Sequence, residues 1–350
     1  MIFHFELPQP KRVGGLEQAV YDIVSALNDF THQTHARVGE YTPNSLRGVQ
    51  AVHFHGIWDM AHMSVAKRCR ELNIPYIVSP HGMLEPWPLR HKPLRKWVHR
   101  ALFTNRYLRG AQFILATSDM EAEQLKRLFP DQTIHNLPLG IDKVPPIEHP
   151  EARRNTGVKP DRFLILFLSR IDAKKNLDGL LHALLRLDTS TAKKISLAVI
   201  GKGEGRYYQE CINLGKQCRE RGIEIQWLGP MWGNEKWYWL SGSDLCALPS
   251  LSENFGYVYL ESLAVGTPIL CTPHTPWGRI NDPESRVVCQ TDVDAIVTGL
   301  KSGIERFSQF KNRSKVRENT HREYHWEALA RRYAPLYPSP PEDTFTHAPF

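Results

Sequence analysis

Long apolar runs are missing from this 350-residue sequence, although 41% of its residues are hydrophobic. No stretch approaches the roughly 20 apolar residues that a membrane-spanning helix needs. The first twelve residues, MIFHFELPQPKR, also lack the layout of a secretory signal peptide. These absences argue against an integral membrane or secreted protein, and they predict a cytoplasmic location.

Paired cysteines are missing too. The six cysteines include no C-x-x-C pair, so the sequence predicts neither a disulfide framework nor a zinc ribbon, and we expect reduced, mostly buried thiols. His53 and His55 alternate on one side of a probable strand, which makes a metal site worth considering. Because no third ligand follows at a sensible spacing, we expect no metal there.

Strand-like and helix-like segments alternate in both halves of the chain. The strand patterns are VQAVHFHG, PYIVSPHG and QFILATS in the first half, and FLILFLS, ISLAVIG, IEIQWLG, DLCALPS and PILCT in the second. Such alternation is typical of βαβ units, so we expect an α/β protein with two Rossmann-like, doubly wound parallel sheets facing a central cleft. We place one domain at 1–150 and the next at 151–323, and we expect a disordered tail at 338–350.

The segment PSLSENFGYVYLESLAVGTPIL, residues 249–270, carries two glutamates eight residues apart. Glu253 precedes a predicted helix start, Gly256 lets backbone approach a ligand, and Glu261 follows about two turns along that helix. The free N–H groups at a helix start attract anions. One phosphorylated ligand could therefore meet a carboxylate at each end. The alternative is that Glu253 is a surface loop residue and Glu261 a core residue in a salt bridge.

Two cations follow the predicted strand FLILFLS. Arg170 and Lys175 stand just beyond its carboxyl end, where they could neutralise a diphosphate. We interpret Lys174, in the same loop, as a solvated charge.

Two further loops in the first half carry candidate residues. Gly14 and Gly15 precede the helical pattern LEQAVYDIVSALN and would let the backbone approach a ligand closely. His81 ends the strand pattern PYIVSPHG, and a histidine there can hydrogen-bond hydroxyl groups or transfer a proton near neutral pH. On the residues alone, a structural histidine is the simpler interpretation.

Taken together, these segments resemble the retaining sugar-nucleotide glycosyltransferases of family 4, also called glycosyl transferases group 1, which have the GT-B fold and include bacterial polysaccharide and lipopolysaccharide enzymes. The resemblance spans nearly the whole chain. The family signature PSxxExFGxxxxEAxAxGxPV is matched, with Ser262 where alanine is usual, at Pro249, Ser250, Glu253, Phe255, Gly256, Glu261, Ala264, Gly266 and Pro268.

The resemblance implies a retaining enzyme that moves a sugar from a nucleotide diphosphate sugar to a hydroxyl of a glycan or lipid-linked acceptor, in cell-surface polysaccharide or lipopolysaccharide biosynthesis. It implies no cofactor and no metal, because Arg170, Lys175 and the helix start near Gly256 would take the charge of the departing diphosphate. It also implies that the final helix, 324–337, crosses back to the N-terminal domain.

The family further implies a role for each remaining candidate. Glu261 would accept hydrogen bonds from the ribose of the nucleotide. His81 would face the sugar and the acceptor. The residues expected to hold the donor sugar or cover its phosphates are Glu253, Asn254, Phe255, Gly256, Gly14 and Gly15.

Rival functions stay open at this stage. The chain could be a glycan-binding or scaffold protein that kept the fold without the chemistry, or a sugar-nucleotide epimerase or hydrolase that consumes the donor without an acceptor. A basic nucleic-acid-binding module is a third, and no recognised nucleic-acid motif supports it. We therefore expect no nucleic-acid partner.

The formal net charge of +7 has a local source. Between residues 87 and 109 there is no acidic residue, and apolar residues such as Leu94, Trp97 and Leu102 alternate with the basic ones. The basic residues are Arg90, Lys92, Arg95, Lys96, Arg100, Arg106 and Arg109. This pattern is typical of a basic amphipathic helix that contacts an anionic membrane or a phosphorylated acceptor, the alternative being a plain solvated helix.

Overall fold

The structure is a computed structural model that describes residues 1–6, 15–28, 30, 33–37, 46–90, 93–142 and 144–338. Gly14 and residues 339–350, which include nearly all of the tail expected to be disordered, lie outside the described residues. The chain divides into two compact units. One consists of Met1–Asp142 with Glu323–Phe350, and the other of Lys143–Arg322.

Strands and helices alternate along both units. The strands are β1 (Ile2–Glu6), β2 (Gln33–Arg37), β3 (Ala51–His55), β4 (Tyr76–Ser79), β5 (Phe113–Ala116), β6 (Ile134–Asn136), β7 (Phe163–Leu168), β8 (Ile195–Ile200), β9 (Glu224–Gly229), β10 (Leu245–Ala247), β11 (Ile269–Cys271) and β12 (Arg286–Val288). The helices are α1 (Gly15–Leu27), α2 (Met60–Glu71), α3 (Pro86–Arg90), α4 (Pro93–His99), α5 (Asn105–Arg109), α6 (Asp119–Leu128), α7 (His149–Thr156), α8 (Leu177–Leu185), α9 (Thr189–Ala192), α10 (Gly205–Glu220), α11 (Gly233–Gly242), α12 (Tyr257–Ala264), α13 (Val293–Phe307), α14 (Arg313–Tyr324) and α15 (Trp326–Tyr333).

Each unit contains one six-stranded sheet. The strand orders are β2-β1-β3-β4-β5-β6 and β12-β11-β10-β7-β8-β9, and every neighbouring pair is parallel. Helices follow most strands, as crossover connections between parallel strands require. The predicted α/β class with two doubly wound parallel sheets is confirmed.

All eight strands predicted from apolar patterns are present, and four strands were missed. Three of the missed strands, β2, β6 and β12, are edge strands of their sheets. Edge strands are less enclosed, so they carry polar residues, as the sequences QTHAR and IHN illustrate. In the fourth, β1, the buried His4 interrupts the apolar pattern of the sequence IFHFE.

The first change of unit comes after Asp142, before the boundary expected at residue 150. Helix α7 belongs to the second unit because Arg153 holds it there. The guanidinium of Arg153 donates to the carbonyl of Gly242 at 2.9 Å and pairs with the Asp244 carboxylate at 3.2 Å. Residues 144–148, which precede α7, belong to the second unit as well.

From Glu323 onward the chain belongs to the first unit again. The amide of Ile141 donates to the carbonyl of Tyr324 at 2.8 Å. The hydroxyl of Tyr333 lies 3.1 Å from the carbonyl oxygens of both Leu137 and Pro138. Helix α15 is thereby fixed to the segment that follows β6.

All six cysteines are buried and free. Burial raises the pKa of the Cys246 thiol to about 12, so this group stays protonated at neutral pH. Over the described ranges, no helix is both long enough and apolar enough to cross a membrane.

The absence of a side chain at Gly140 lets the Trp326 ring of α15 pack closely against it, which gives a test of the fold. A Cβ at this position would lie 2.6 Å from the Trp326 ring. We expect Gly140→Ala to lower the free energy of unfolding by about 1–3 kcal/mol, because the ring must shift. Chemical denaturation measures this. The double variant Gly140→Ala with Trp326→Leu should lose less than the sum of the single losses, and strict additivity would contradict the packing described here.

Candidate functional site

The loop that follows β7 makes a tight turn before α8. Asp172 caps a short 3₁₀ turn, Ala173–Lys175, by accepting a hydrogen bond from the Lys174 amide at 3.0 Å. Asn176 then adopts left-handed backbone conformation, with φ of 56°, which asparagine tolerates better than most residues. This turn sets the direction in which the neighbouring side chains leave the strand end.

The side chain of Asn176 ties this loop to two others. Its amide donates to the carbonyl of Pro249 at 3.1 Å and to that of Thr291 at 3.0 Å. Gly179 leaves room for it, since a Cβ there would lie 2.4 Å from the Asn176 oxygen. The loops that follow β7 and β10 are therefore held together.

Lys175 and Glu253 form a nearly buried ion pair. The Lys175 Nζ lies 2.5 Å from Oε1 of Glu253, and the two side chains are only 13% and 8% exposed. The hydroxyl of Ser250 donates to the same carboxylate oxygen at 3.0 Å. Burial favours a raised pKa, but the charge and hydrogen bond of Lys175, with the charge of Lys174 and the hydrogen bond from Ser250, lower the pKa of Glu253 below its usual value. Glu253 is therefore an ionised, fixed carboxylate rather than a surface loop residue.

Glu261 also has a cationic partner. Lys236 of α11 places its Nζ 2.6 Å from Oε1 of Glu261, and the Lys236 ammonium also lies 4.7 Å from the Trp237 ring centre. Burial is the larger effect here and raises the pKa of Glu261 despite the Lys236 charge. The salt-bridge alternative for Glu261 describes this structure, and the ribose contact stays a prediction.

Between the two glutamates the chain turns into α12 at Gly256. This residue has φ of 73°, and a Cβ there would lie 2.6 Å from the Tyr259 ring. The buried Phe255 packs against Trp277, whose indole N–H donates to the Phe255 carbonyl at 2.6 Å. Asn254, between Glu253 and Phe255, belongs to the same turn. The predicted helix start after Gly256 is present.

The remaining predicted donor residues differ in their surroundings. Arg170 is well exposed, at 61% of its side chain, and its guanidinium pairs with Asp172 at 3.3 Å. Gly15 is the first residue of α1, and Gly14 lies outside the described residues. The structure thus joins Lys175 to Glu253 directly, while Arg170 is held in the same loop by a different carboxylate.

In the first unit, His81 follows the end of β4 in left-handed conformation, with φ of 50°. Such a backbone is strained for histidine and persists only where its surroundings hold it. The next amide, that of Gly82, donates to the buried Glu121 carboxylate at 2.5 Å. The His81 ring itself is bonded through Nε2 to Nδ1 of His55 at 3.0 Å.

His53 and His55 do have a third histidine beside them. His4 on β1 is the register partner of His53, and the candidate ligand atoms of His4, His53 and His55 all lie within 4.8 Å of one another. The sequence interpretation missed His4 because it lies on a different, undetected strand. Both ring nitrogens of His53 and His55 already have hydrogen-bond partners. The expected absence of a metal stays a prediction.

Besides His4, the parts played by Glu121, Ser250 and Lys236 were not predicted. The Ser118-x-x-Glu121 spacing is a capping-box pattern, and Ser118 does accept from the Glu121 amide at 3.2 Å, so sequence could have indicated Glu121. The role of Ser250 as a donor to Glu253 was not expected, and Lys236 gives no local signal.

Two family models match this chain. The model described as Glycosyl transferases group 1 matches residues 148–322, half of the chain, and the model described as Glycosyl transferase 4-like domain matches residues 24–140. Among curated proteins, the D-inositol 3-phosphate glycosyltransferase 2 of Catenulispora acidiphila is 28% identical over 66% of this chain and 58% of its own length. The D-inositol 3-phosphate glycosyltransferase of Actinosynnema mirum is 31% identical over 46% of this chain and 40% of its own. The matches thus span about half the length of these relatives.

Solved structures share the fold at low sequence identity. HepE of Anabaena, in complex with UDP and glucose, has a TM-score of 0.72 and 15% identity, covering 96% of this chain and 99% of its own. WaaG, described as a glycosyltransferase involved in lipopolysaccharide biosynthesis, has a TM-score of 0.64 and 16% identity, covering 96% and 99%.

The buried histidines make the stability of the first unit depend on pH. Burial, with repulsion from neighbouring histidines, holds the pKa of His53 and His55 well below 6.5, and burial lowers the pKa of His81 to about 4. The unfolded chain therefore binds protons that the folded chain excludes, so stability is present above pH 6.5 and is lost as the pH falls toward 4.

Denaturation between pH 7 and pH 5 measures this dependence, above the range in which most carboxylates titrate. At one pKa unit per ~1.4 kcal/mol, the His81 shift alone corresponds to ~3 kcal/mol at full protonation. His81→Asn, which suits the left-handed backbone, should flatten the slope by up to one proton. Equal stability of the wild type at pH 7 and pH 5 would contradict neutral, buried rings.

Proposed function

The chain belongs to the glycosyl transferases group 1 family, and on this basis we propose that it is a retaining enzyme that transfers a sugar from a nucleoside diphosphate sugar to a hydroxyl of a glycan or lipid-linked acceptor. The observation that carries the proposal is the buried Lys175–Glu253 pair, fixed at the carboxyl ends of β7 and β10. UDP and UDP-glucose, which occupy HepE in its solved complexes, are the first donor compounds to test.

Positive charge around the start of α12 suits a departing diphosphate. The Lys175 ammonium has three N–H donors and uses one on Glu253, which leaves donors for phosphate oxygens. Arg170 presents an exposed guanidinium from the same loop. Together with the positive end of the α12 helix dipole, these groups stabilise charge that develops as the sugar–phosphate bond breaks. In this proposal they take the place of a divalent metal.

The pKa values of the two glutamates are shifted in opposite directions, which suits two different roles. Glu253 is held ionised by Lys175, so it can stabilise the positive charge that develops on the transferred sugar. Glu261, whose pKa burial raises, is bonded to Lys236 and can accept hydrogen bonds from ribose hydroxyls through its remaining lone pairs. His81, in the first unit, is the candidate group for the acceptor hydroxyl.

Removing Lys175 tests the donor site. Lys175→Ala should weaken binding of UDP-glucose about tenfold or more, since a charge-assisted contact to the diphosphate is lost. Lys174→Ala is the matched control and should change binding little, because its Nζ makes no hydrogen bond to Glu253. Calorimetric titration of UDP-, GDP- and ADP-sugars measures this, with and without EDTA. Equal effects of the two variants would contradict the assignment, and loss of binding in EDTA would contradict metal independence.

Product analysis separates the rival functions. Transfer with retention predicts a product whose anomeric configuration, measured by NMR, equals that of the donor. An epimerase or hydrolase would instead consume the donor equally well without an acceptor. A scaffold protein would bind ligand, and Glu253→Gln would leave its function unchanged.

We also propose that the helical segment 93–109 contacts an anionic membrane that carries the acceptor. Helix α4, a π-helical turn at Arg100–Thr104 and α5 follow one another without a break. The inner side of this segment is buried through Thr104, Tyr107 and Leu108. Its outer side exposes five large apolar side chains, which are Leu94, Trp97, Val98, Leu102 and Phe103, at 40–73% of their surface.

An apolar patch of this kind is unusual on a free surface. The basic residues Arg95, Arg106 and Arg109 are also exposed, and the segment has no acidic residue to neutralise them. Apolar side chains with a rim of cations match the interface of an anionic bilayer. The segment would thus bring the enzyme to a lipid-linked acceptor.

Vesicle sedimentation tests this membrane contact. The protein should bind vesicles containing phosphatidylglycerol and bind pure phosphatidylcholine weakly, with less binding at high salt. The double variant Trp97→Ser with Leu102→Ser should lose most of the binding. Trp232→Ser is the control, since Trp232 is 76% exposed in the second unit. Equal binding by both variants would contradict the proposal, and lipid-free dimerisation lost in the double variant would assign the patch to self-association.

A further inference from the structure

His53 and His55 of the first unit, both fully buried, each bond to two side chains. His53 bonds through Nε2 to the Ser79 hydroxyl at 2.8 Å and through Nδ1 to the Tyr337 hydroxyl at 2.8 Å. Nε2 of His55 lies 3.1 Å from Nδ1 of His4, and Nδ1 of His55 lies 3.0 Å from Nε2 of His81. We call His4, His55 and His81 the histidine row.

Strand register produces this row. β1, β3 and β4 are neighbours, with His4 opposite His53 and Ser79 opposite His55. His53 and His55 are two residues apart on β3, so they share one face of the sheet. His81 follows two residues after Ser79, where the left-handed turn brings its ring to within 5.3 Å of the His55 ring, nearly parallel to it.

Neutral imidazoles impose a direction on such a row. Each neutral ring carries one N–H and one lone pair, and His55 uses both of its nitrogens within the row. His55 must therefore donate to one neighbour and accept from the other. Either His81 donates through Nε2 and keeps a lone pair on Nδ1, or His81 accepts at Nε2 and carries its proton on Nδ1. The tautomer of His55 thus decides what His81 can offer through Nδ1.

We propose that His55, backed by His4, is a positioning residue that fixes the orientation and the tautomer of the His81 ring, so that Nδ1 of His81 is aligned for a hydrogen bond with the hydroxyl of the sugar acceptor. This inference rests on the proposed function, since it assigns His81 to that hydroxyl. Nε2 of His81 is already bonded to His55, which leaves Nδ1 as the nitrogen for a ligand.

The loop around His81 supports a positioning role. The Glu121 carboxylate holds the adjoining Gly82 amide, and it also accepts from the Thr117 amide at 2.9 Å and the Thr117 hydroxyl at 3.0 Å. The backbone of the turn is therefore fixed independently of the row. With the backbone fixed, His55 is left to determine the orientation and tautomer of the His81 ring.

Variants at His55 separate its two hydrogen bonds. The amide of asparagine reaches the position of Nδ1, so His55→Asn retains a partner for His81. The amide of glutamine reaches the position of Nε2, so His55→Gln retains the link to His4 and loses the link to His81. We expect His55→Gln to lower kcat about tenfold or more, with partial rescue in His55→Asn, while binding of the donor sugar stays within about twofold.

His53→Gln is the matched control. His53 is equally buried, at 0% exposure. The His53 ring packs against that of His55, with ring centres 4.1 Å apart, but both of its nitrogens bond to partners outside the histidine row. His53→Gln should therefore reduce stability and leave kcat within about twofold. Equal loss of kcat in His53→Gln and His55→Gln would reduce His55 to a structural role and overturn the proposal.

Long-range ¹H–¹⁵N NMR of the histidine rings tests the tautomer without any assay of activity. With His81 assigned through His81→Asn, the wild type should show one tautomer of His81, and His55→Gln should show a mixture or the other tautomer. A mixture of His81 tautomers in the wild type, or an unchanged tautomer in His55→Gln, overturns the proposal. A wild type that transfers no sugar would overturn the proposed function, and the NMR result would still decide whether His55 sets the tautomer of His81.

Discussion

Parallel strand pairing is the constraint on which both units depend. Every neighbouring pair in the two sheets is parallel, so the carboxyl ends of all strands of a sheet lie on the same side of that sheet. Because helices cover both faces of a parallel sheet, its strands are buried and mostly apolar. Polar functional residues are therefore found in the loops that follow the strand ends. Lys175 follows the end of β7, Glu253 follows that of β10, and His81 follows that of β4. All three candidate residues thus lie in loops at the carboxyl ends of strands.

The carboxylates of the second unit show how burial and charge compete. Glu253 and Glu261 are both buried and both bonded to a lysine, yet their pKa values move in opposite directions. At Glu253 the charge and hydrogen bond of Lys175, joined by the charge of Lys174 and the hydrogen bond from Ser250, outweigh desolvation and lower the pKa. At Glu261 desolvation prevails over the charge and hydrogen bond of Lys236 and raises the pKa. Glu253, just before α12, is thus held ionised, whereas Glu261, within α12, is protonated more readily.

Much of this could be predicted from the sequence, because the relevant signals are local. Apolar runs identified the enclosed strands, and the order of turn, glycine and apolar residues identified the start of α12. The partners of the site residues were harder to predict, since they come from distant segments. Lys236 reaches Glu261 from another helix, and His4 reaches His55 from a strand whose pattern a histidine interrupts. The place of α7 in the second unit was hard to predict for the same reason, since Arg153 finds its partners at Gly242 and Asp244.

The return of the chain to the first unit has a consequence for the order of folding during synthesis. Tyr333 supplies the hydroxyl at the carbonyls of Leu137 and Pro138, and Tyr337 supplies the partner of the buried His53. Both tyrosines leave the ribosome after the entire second unit. The second unit is continuous in sequence and can be completed first. The first unit, although its sheet is translated earliest, must wait with unsatisfied buried polar groups until the last turns of the chain arrive.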